Sequence, residues 1–147
     1  MLPRAERGFL RDALVESPEE PWRSIVGAIV DCAMGSMVGL CGVVVLRGSE
    51  EGEIWYLVQP ESWGKGIATE AANELLSFGF KDLGLHRLFA TCLPENPASE
   101  RVLQKLGMRK EGFLVEKLKI HGVWKSCCLY AMLEREWFVR GKSASAG

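Results

Sequence analysis

The stretch QPESWGKGIATEAA, residues 59–72, decides the architecture, because both the chemistry and the periodicity change within it. Before it, β-branched runs alternate with turn signals. After it, Ala68, Ala71, Ala72, Leu75 and Leu76 recur at helical spacing. Between the two patterns stand Gly64, Lys65 and Gly66. A loop that leaves the C-terminal end of a strand and enters a helix points free backbone N–H groups into the crevice, along with the positive end of the helix dipole. The two glycines allow close approach of the backbone, and Lys65 adds a flexible positive charge. Such a loop suits a phosphate. Taken alone, it suits a ligand-free turn equally well.

Two phosphate motifs are excluded by the residues themselves. A Rossmann fingerprint needs glycine or alanine where Thr69 stands, within a series of βαβ units that the sequence lacks. A Walker loop needs serine or threonine after the lysine, and Lys65 is followed by Gly66.

Working outward toward the N-terminus, Trp22–Cys32 and Val38–Leu46 read as strands separated by the turn Met34-Gly35-Ser36. The turn Gly48-Ser49-Glu50-Glu51-Gly52 leads to a third strand, Glu53–Val58, completing an antiparallel meander. Residues 4–16 place Phe9, Leu10, Ala13 and Leu14 at helical spacing, so a short helix is expected there, ended by Ser17-Pro18-Glu19-Glu20-Pro21. Toward the C-terminus, a helix over Ile67–Phe80 closes at Gly84 and a buried strand follows over His86–Leu93. Strand, helix and strand in that order make a right-handed parallel crossover. Asn96-Pro97 opens a second helix that ends at Gly107. Strands over about 112–120 and 124–133 form a hairpin around His121-Gly122. Lys142–Gly147 reads as a frayed tail.

The expected class is therefore α+β, a mixed and mostly antiparallel sheet with one βαβ crossover at its centre, in a three-layer α/β arrangement. One domain is expected over 1–147: a helix and turn to residue 21, a core over 22–137 and a tail over 138–147.

Composition narrows the function classes. Eighteen basic residues balance nineteen acidic ones, so no electrostatic footprint points to nucleic acid or an anionic membrane. No apolar run reaches spanning length and no signal pattern opens the chain, which leads to the expectation of a cytoplasmic protein. The five cysteines lack C-x-x-C spacing and only His86 and His121 accompany them, so no metal site is expected. Cys32, Cys41, Cys92, Cys127 and Cys128 read as reduced thiols, most of them in the core.

QPESWGKGIATEA (59–71) followed by LPENPASERVLQKLGMRKEG (93–112) resembles the GNAT N-acetyltransferase superfamily, in particular its RimJ/RimL-type branch, which acetylates protein N-termini. The likeness runs from about Val38 to Trp137 and includes HGVWKSCCLYAMLEREW. It implies a GNAT fold and an acyl-coenzyme A-dependent N-acyltransferase, with acetyl-coenzyme A as cosubstrate and no metal. The superfamily's pyrophosphate loop falls on Trp63-Gly64-Lys65-Gly66-Ile67-Ala68, so backbone amides from Gly64 through Thr69 are expected to cradle the coenzyme. In that fold the strand before the loop bulges and splays from the strand after the helix, and the pantetheine arm pairs with it. Leu57 and Val58 occupy the matching positions.

The resemblance also implies roles for single residues. Asn96 matches an asparagine near the pantetheine, although Asn before Pro is equally a helix cap. Ser99 matches the branch's serine beside the thioester sulfur. Many members carry a proton-donating tyrosine where Leu103 stands, so Ser99 becomes the candidate acid. An α-amino acceptor with a pKa of about 7.7–8.0 is partly neutral at pH 7, whereas a lysine near 10.4 needs more help. Glu53 is the first candidate base, through water, and Tyr130 a second candidate acid. Glu70, in the helix opening, reads as a dipole or packing residue. Acceptors in view are a protein N-terminus or a small-molecule amine.

Two departures stand out. The resemblance implies a further strand and helix at the family's N-terminus, which are expected to be missing here; an open sheet edge near Trp22–Cys32 would invite a homodimer. Ser126 replaces an aspartate that the branch often has after G-x-W-x. Trp22, Trp55, Trp124 and Trp137 read as packing residues or as walls of an acceptor cleft. The alternative reading is a non-catalytic acyl-coenzyme A-binding regulatory module.

Overall fold

The computed structural model describes residues 8–16 and 22–146. Seven strands form one sheet: β1 (Gly8–Glu16), β2 (Trp22–Asp31), β3 (Ser36–Leu46), β4 (Glu51–Val58), β5 (Arg87–Cys92), β6 (Arg109–Ile120) and β7 (Val123–Leu133). Their spatial order is β1-β2-β3-β4-β5-β7-β6. Every neighbouring pair is antiparallel except β4 and β5, which are parallel and joined through α1 (Ile67–Ser77). The expected meander and central crossover are both present.

The core forms where sheet and helix periods meet. Ile25, Ile29, Val43 and Ile54 project from one sheet face onto Ile67, Ala71, Ala72, Leu75 and Leu76 of α1 and Leu103 of α2 (Pro97–Lys105). The small buried residues Ala71 and Ala72 let α1 lie close to the sheet. After Ser77 the helix widens into a π-helical turn over Phe78–Asp82, which buries Phe78 and Phe80.

Two expectations need correction. The helix expected over 4–16 is strand β1 over Gly8–Glu16. Helical spacing of four apolar residues is a local signal; β1 instead pairs antiparallel with β2, from Gly8↔Val30 to Glu16↔Arg23, satisfying the backbone groups along that edge. The edge of β2 that was expected to lie open is thus covered, so a dimer could not use it as a free ladder. The turn expected at 17–21 lies outside the described residues.

The second correction is at the other terminus, where the tail expected from residue 138 is helix α3 (Glu134–Ala146). Glu136 accepts from the Leu133 N–H at 2.8 Å and caps its start. Trp137 packs on Phe80 with ring centroids 6.1 Å apart, and Arg140 stacks over Trp137 at 4.5 Å. Arg140 also donates to the Leu106 carbonyl and, at 2.6 Å, to Asn73 Oδ1. No described helix is long and apolar enough to cross a membrane.

Candidate active site

The site begins as a defect in the sheet. β4 and β5 pair only at Glu51↔Arg87, Gly52↔Leu88 and Glu53↔Phe89. Beyond Glu53 the two strands part, although β4 runs on to Val58 and stays paired to β3 as far as Gly39↔Val58. The β3 register is continuous, so the expected bulge is absent while the splay is present. The Gln59 N–H donates to the Val38 carbonyl at 2.8 Å. Alternation along the ladder therefore turns the Leu57 backbone toward β3 and the Tyr56 and Val58 backbones toward the gap. Of the two residues expected to pair with a ligand, Val58 has the orientation for it and Leu57 does not.

The loop closes the outer end of the gap. Ser62 is buried, and its hydroxyl accepts from Gln59 at 3.2 Å. The Trp63 indole donates to the Val58 carbonyl at 2.7 Å, tying the loop back onto β4. Gly64 and Gly66 both adopt φ of +78°, a conformation costly for any residue with a Cβ. Gly66 is the N-cap of α1, and no side chain caps the helix. The first intrahelical bond is from the Glu70 N–H to the Gly66 carbonyl, leaving the amides of Ile67, Ala68 and Thr69 directed out of the helix end. Both glycines line the cleft, and a Cβ at either would meet nothing within 4 Å.

Helix α2 forms the facing wall. The Asn96 side chain accepts from the Ser99 N–H at 3.2 Å, so it does cap the helix while also lining the cleft. The Ser99 hydroxyl lies 3.1 Å from the Tyr56 hydroxyl, across the gap. The resulting cleft, about 420 Å³, has a floor of Tyr56, Leu57 and Val58, an end wall running from Ser62 to Thr69, and a side of Asn96, Ser99, Arg101, Val102 and Lys105. An extended, partly apolar chain fits along the floor, with an anionic group at the amide-lined end.

A family model described as an acetyltransferase (GNAT) domain matches residues 4–109. The chain belongs to the GNAT acetyltransferase family. It is 41% identical over 107 residues to the uncharacterized N-acetyltransferase YnaD of Bacillus subtilis, covering 73% of this chain and 61% of YnaD. It is 28% identical over 116 residues to spermidine N(1)-acetyltransferase of Escherichia coli K12, covering 78% of this chain and 62% of that enzyme. The crystal structure of ribosomal-protein-S5-alanine acetyltransferase from Vibrio fischeri superposes with a TM-score of 0.71 at 29% identity, over 78% of this chain and 63% of that one. The chain thus spans about three-fifths of the length of these GNAT relatives.

Against this GNAT frame, Leu57, Val58, Gly64, Gly66, Ile67, Ala68, Thr69, Asn96 and Ser99 meet in one cleft. Lys65 is exposed on the loop and does not line it. Glu53 sits at the apex of the splay, the last β4 residue paired to β5, on the sheet face opposite Tyr56. Burial pushes its carboxyl above the usual carboxylate range, opposed by a hydrogen bond from Thr91 and by the charge of Lys117.

Tyr130 is not a cleft residue. It is 2% exposed, donates to Glu100 at 2.6 Å and accepts from Gln104 at 3.3 Å. Its place beside Ala131 on β7 puts it beneath α2, where a hydroxyl anchors a helix instead of meeting a ligand. Leu103 is likewise core, at 1% exposure. Ser126 has a structural partner, accepting from the Glu116 N–H at 3.0 Å where β6 is irregular. None of Trp22, Trp55, Trp124 and Trp137 lines the cleft, whereas Trp63 does.

Of the cleft residues that sequence reasoning passed over, Tyr56, Arg101, Val102 and Lys105 among them, Tyr56 carries the hydroxyl that faces Ser99. The available signal was strand phase: Ile54 and Tyr56 share a face, and Ile54 is plainly core. Of the cysteines, Cys41, Cys92, Cys127 and Cys128 are buried and Cys32 is exposed, and none is in a disulfide. Desolvation pushes Cys41 up to about 12 and Cys92 up to about 11, so neither offers a thiolate near neutrality. Among the described residues, no group of three or more His, Cys, Asp or Glu could hold a metal.

Proposed function

We propose that this single GNAT domain, in a RimJ/RimL-like setting, transfers acetyl from acetyl-coenzyme A to a primary amine by direct attack. The observation that carries the reading is the coincidence of a parted β4–β5 pair with an uncapped helix end at the outer limit of the same gap. The amides of the Gly64–Thr69 loop would hold the pyrophosphate, with Lys65 as a loose counter-charge. Tyr56 and Val58 backbone groups would pair with the pantetheine arm, Leu57 and Asn96 flanking it. A fixed N–H aimed at the developing oxyanion contributes about 3–4 kcal/mol to such a transition state.

Ser99 would donate a proton to the leaving sulfur, while Glu53, through water, would take one from the amine. A carboxyl raised by burial is a better base than an exposed one. The acceptor is an amine of the kind named for the relatives, a protein N-terminus or a polyamine.

Calorimetric titration with acetyl-coenzyme A, then thiol release with spermidine and with an alanine-initiated peptide, tests the reading. Binding with release is expected. Binding without release from either acceptor would turn the assignment toward a non-catalytic acyl-coenzyme A module. No binding would remove it.

A further inference from the structure

The Tyr56–Ser99 contact has no place in the scheme above, which gives Ser99 the role of acid alone. An aliphatic hydroxyl is a much weaker acid than a thiol, so Ser99 cannot by itself hold a proton at a potential matched to a leaving thiolate. A tyrosine, ordinarily near 10, lies close to a thiol near about 8.5 and is the matched donor. Tyr56 is the one tyrosine of the cleft, and its hydroxyl stands 3.1 Å from Ser99 Oγ. The position from which other family members draw that proton is Leu103, buried and aprotic. Tyr56 is also well held: its ring packs on the core, and continuous pairing of β4 with β3 fixes its backbone.

We propose that Tyr56 and Ser99 form a two-hydroxyl relay in which Tyr56 re-protonates Ser99 as Ser99 protonates the departing thiolate. The inference rests on the acyltransferase reading and adds a residue to it. As the amine nitrogen bonds to the acyl carbon, the carbon–sulfur bond breaks and its electron pair leaves on sulfur. Ser99 gives its proton to that sulfur and receives one from Tyr56. The proton released by the amine passes to Glu53 through water and then to solvent, and solvent restores Tyr56. The products are an amide and a free thiol, with no net proton left on the protein. Because it acts through Ser99, Tyr56 is a positioning residue.

The surroundings favour a protonated Tyr56 before each turnover. Burial raises its hydroxyl, the Ser99 hydrogen bond partly opposes this, and the adjacent Cys92 thiol is neutral, its own pKa pushed up to about 11.

The test uses Tyr56→Phe, Ser99→Ala and the double variant, with acetyl-coenzyme A and the acceptors named above. Each single variant should lower kcat about 10–100-fold, the range of general-acid contributions, while KM for acetyl-coenzyme A stays within about twofold. The double variant should be no slower than the slower single one, because a relay broken once is broken. A second readout needs no turnover. The chain has only two tyrosines, Tyr56 and Tyr130, so ultraviolet titration of tyrosinate resolves Tyr56 by its loss in Tyr56→Phe. In Ser99→Ala that titration should move to higher pH.

Wild-type turnover with an unimpaired Tyr56→Phe overturns the relay and leaves the acyltransferase reading standing. So do multiplicative effects in the double variant, or a fall in kcat matched by a rise in KM. A wild-type protein that binds acetyl-coenzyme A and releases no thiol removes the reading, and the relay with it.

Discussion

The two ends of strand β4 are built on opposite plans. At the closed end, Glu51 through Glu53 pair with β5, and Arg87 donates to Glu51 at 2.5 Å and to both oxygens of Glu111 at 3.0 and 2.8 Å. Arg109 extends the chain of charges from Glu111, at 2.9 Å, to Glu136 of α3, at 2.5 Å. Strands β4, β5 and β6 and a helix are thereby tied at one point. At the open end, Tyr56–Val58 face no strand on the β5 side, and one hydroxyl pair, Tyr56–Ser99, crosses the gap. Backbone pairing is given up where a ligand could replace it and reinforced with charge where none could. The closed end should govern stability, and the open end binding.

The largest expected effect tests the open end. Gly66→Val places a β-branched side chain at φ +78°, strained backbone at a cleft-lining position that is also the N-cap of α1. Acetyl-coenzyme A affinity should fall about 100-fold, which is about 2.8 kcal/mol. Calorimetry measures this directly. Retained affinity would mean that the loop is only a turn, and the contrast between the two ends would lose its functional half.

A smaller effect probes how β4 is held as it leaves β5. Gly39 lies opposite Val58, and a Cβ there would collide with the Leu57 carbonyl. Gly39→Ala must push β3 from β4 at the very place where β4 has no other neighbour. A loss of about 2 kcal/mol in urea unfolding is expected, within the usual range for overpacking, together with weaker binding. Normal binding at reduced stability would show that the gap tolerates movement of its floor.

The same division explains what was legible in the sequence. The loop was readable because its chemistry is local: φ above zero at Gly64 and Gly66 demands glycine, and Asn96-Pro97 announces a helix start in adjacent residues. The gap was not readable from the residues, since nothing in LVQP says whether Val58 has a partner on its far side; only the resemblance supplied it. Strand β1 was misread because four apolar residues satisfy a helical period, and the deciding term is the edge of β2, elsewhere in the chain. Tyr130 was misplaced for the converse reason: a tyrosine on a late strand looks free until α2 supplies Glu100 and Gln104. Tyr56 needed both faces of the cleft to be seen together.

The smallest expected effect belongs to the closed end and sharpens the contrast most. Two arginines hold the Glu111 carboxyl down to about 2, from an ordinary value of 4.5, with hydrogen bonds as the larger cause and charge the smaller. A carboxyl whose folded pKa lies below its unfolded one stabilises the fold above the unfolded value and loses that contribution as pH falls toward the folded one. Glu111→Gln should therefore cost about 1 kcal/mol near pH 7, a figure kept low because the charges of this network are partly open to water. The deficit should shrink steadily between pH 4.5 and about 2. Acetyl-coenzyme A affinity at pH 7 should stay within about twofold of wild type, since nothing in the charge network lines the cleft. If Glu111→Gln weakened binding as much as Gly39→Ala does, the closed end would be setting the width of the open one. β4 would then act as a single lever, rather than as a hinge fixed at Glu53.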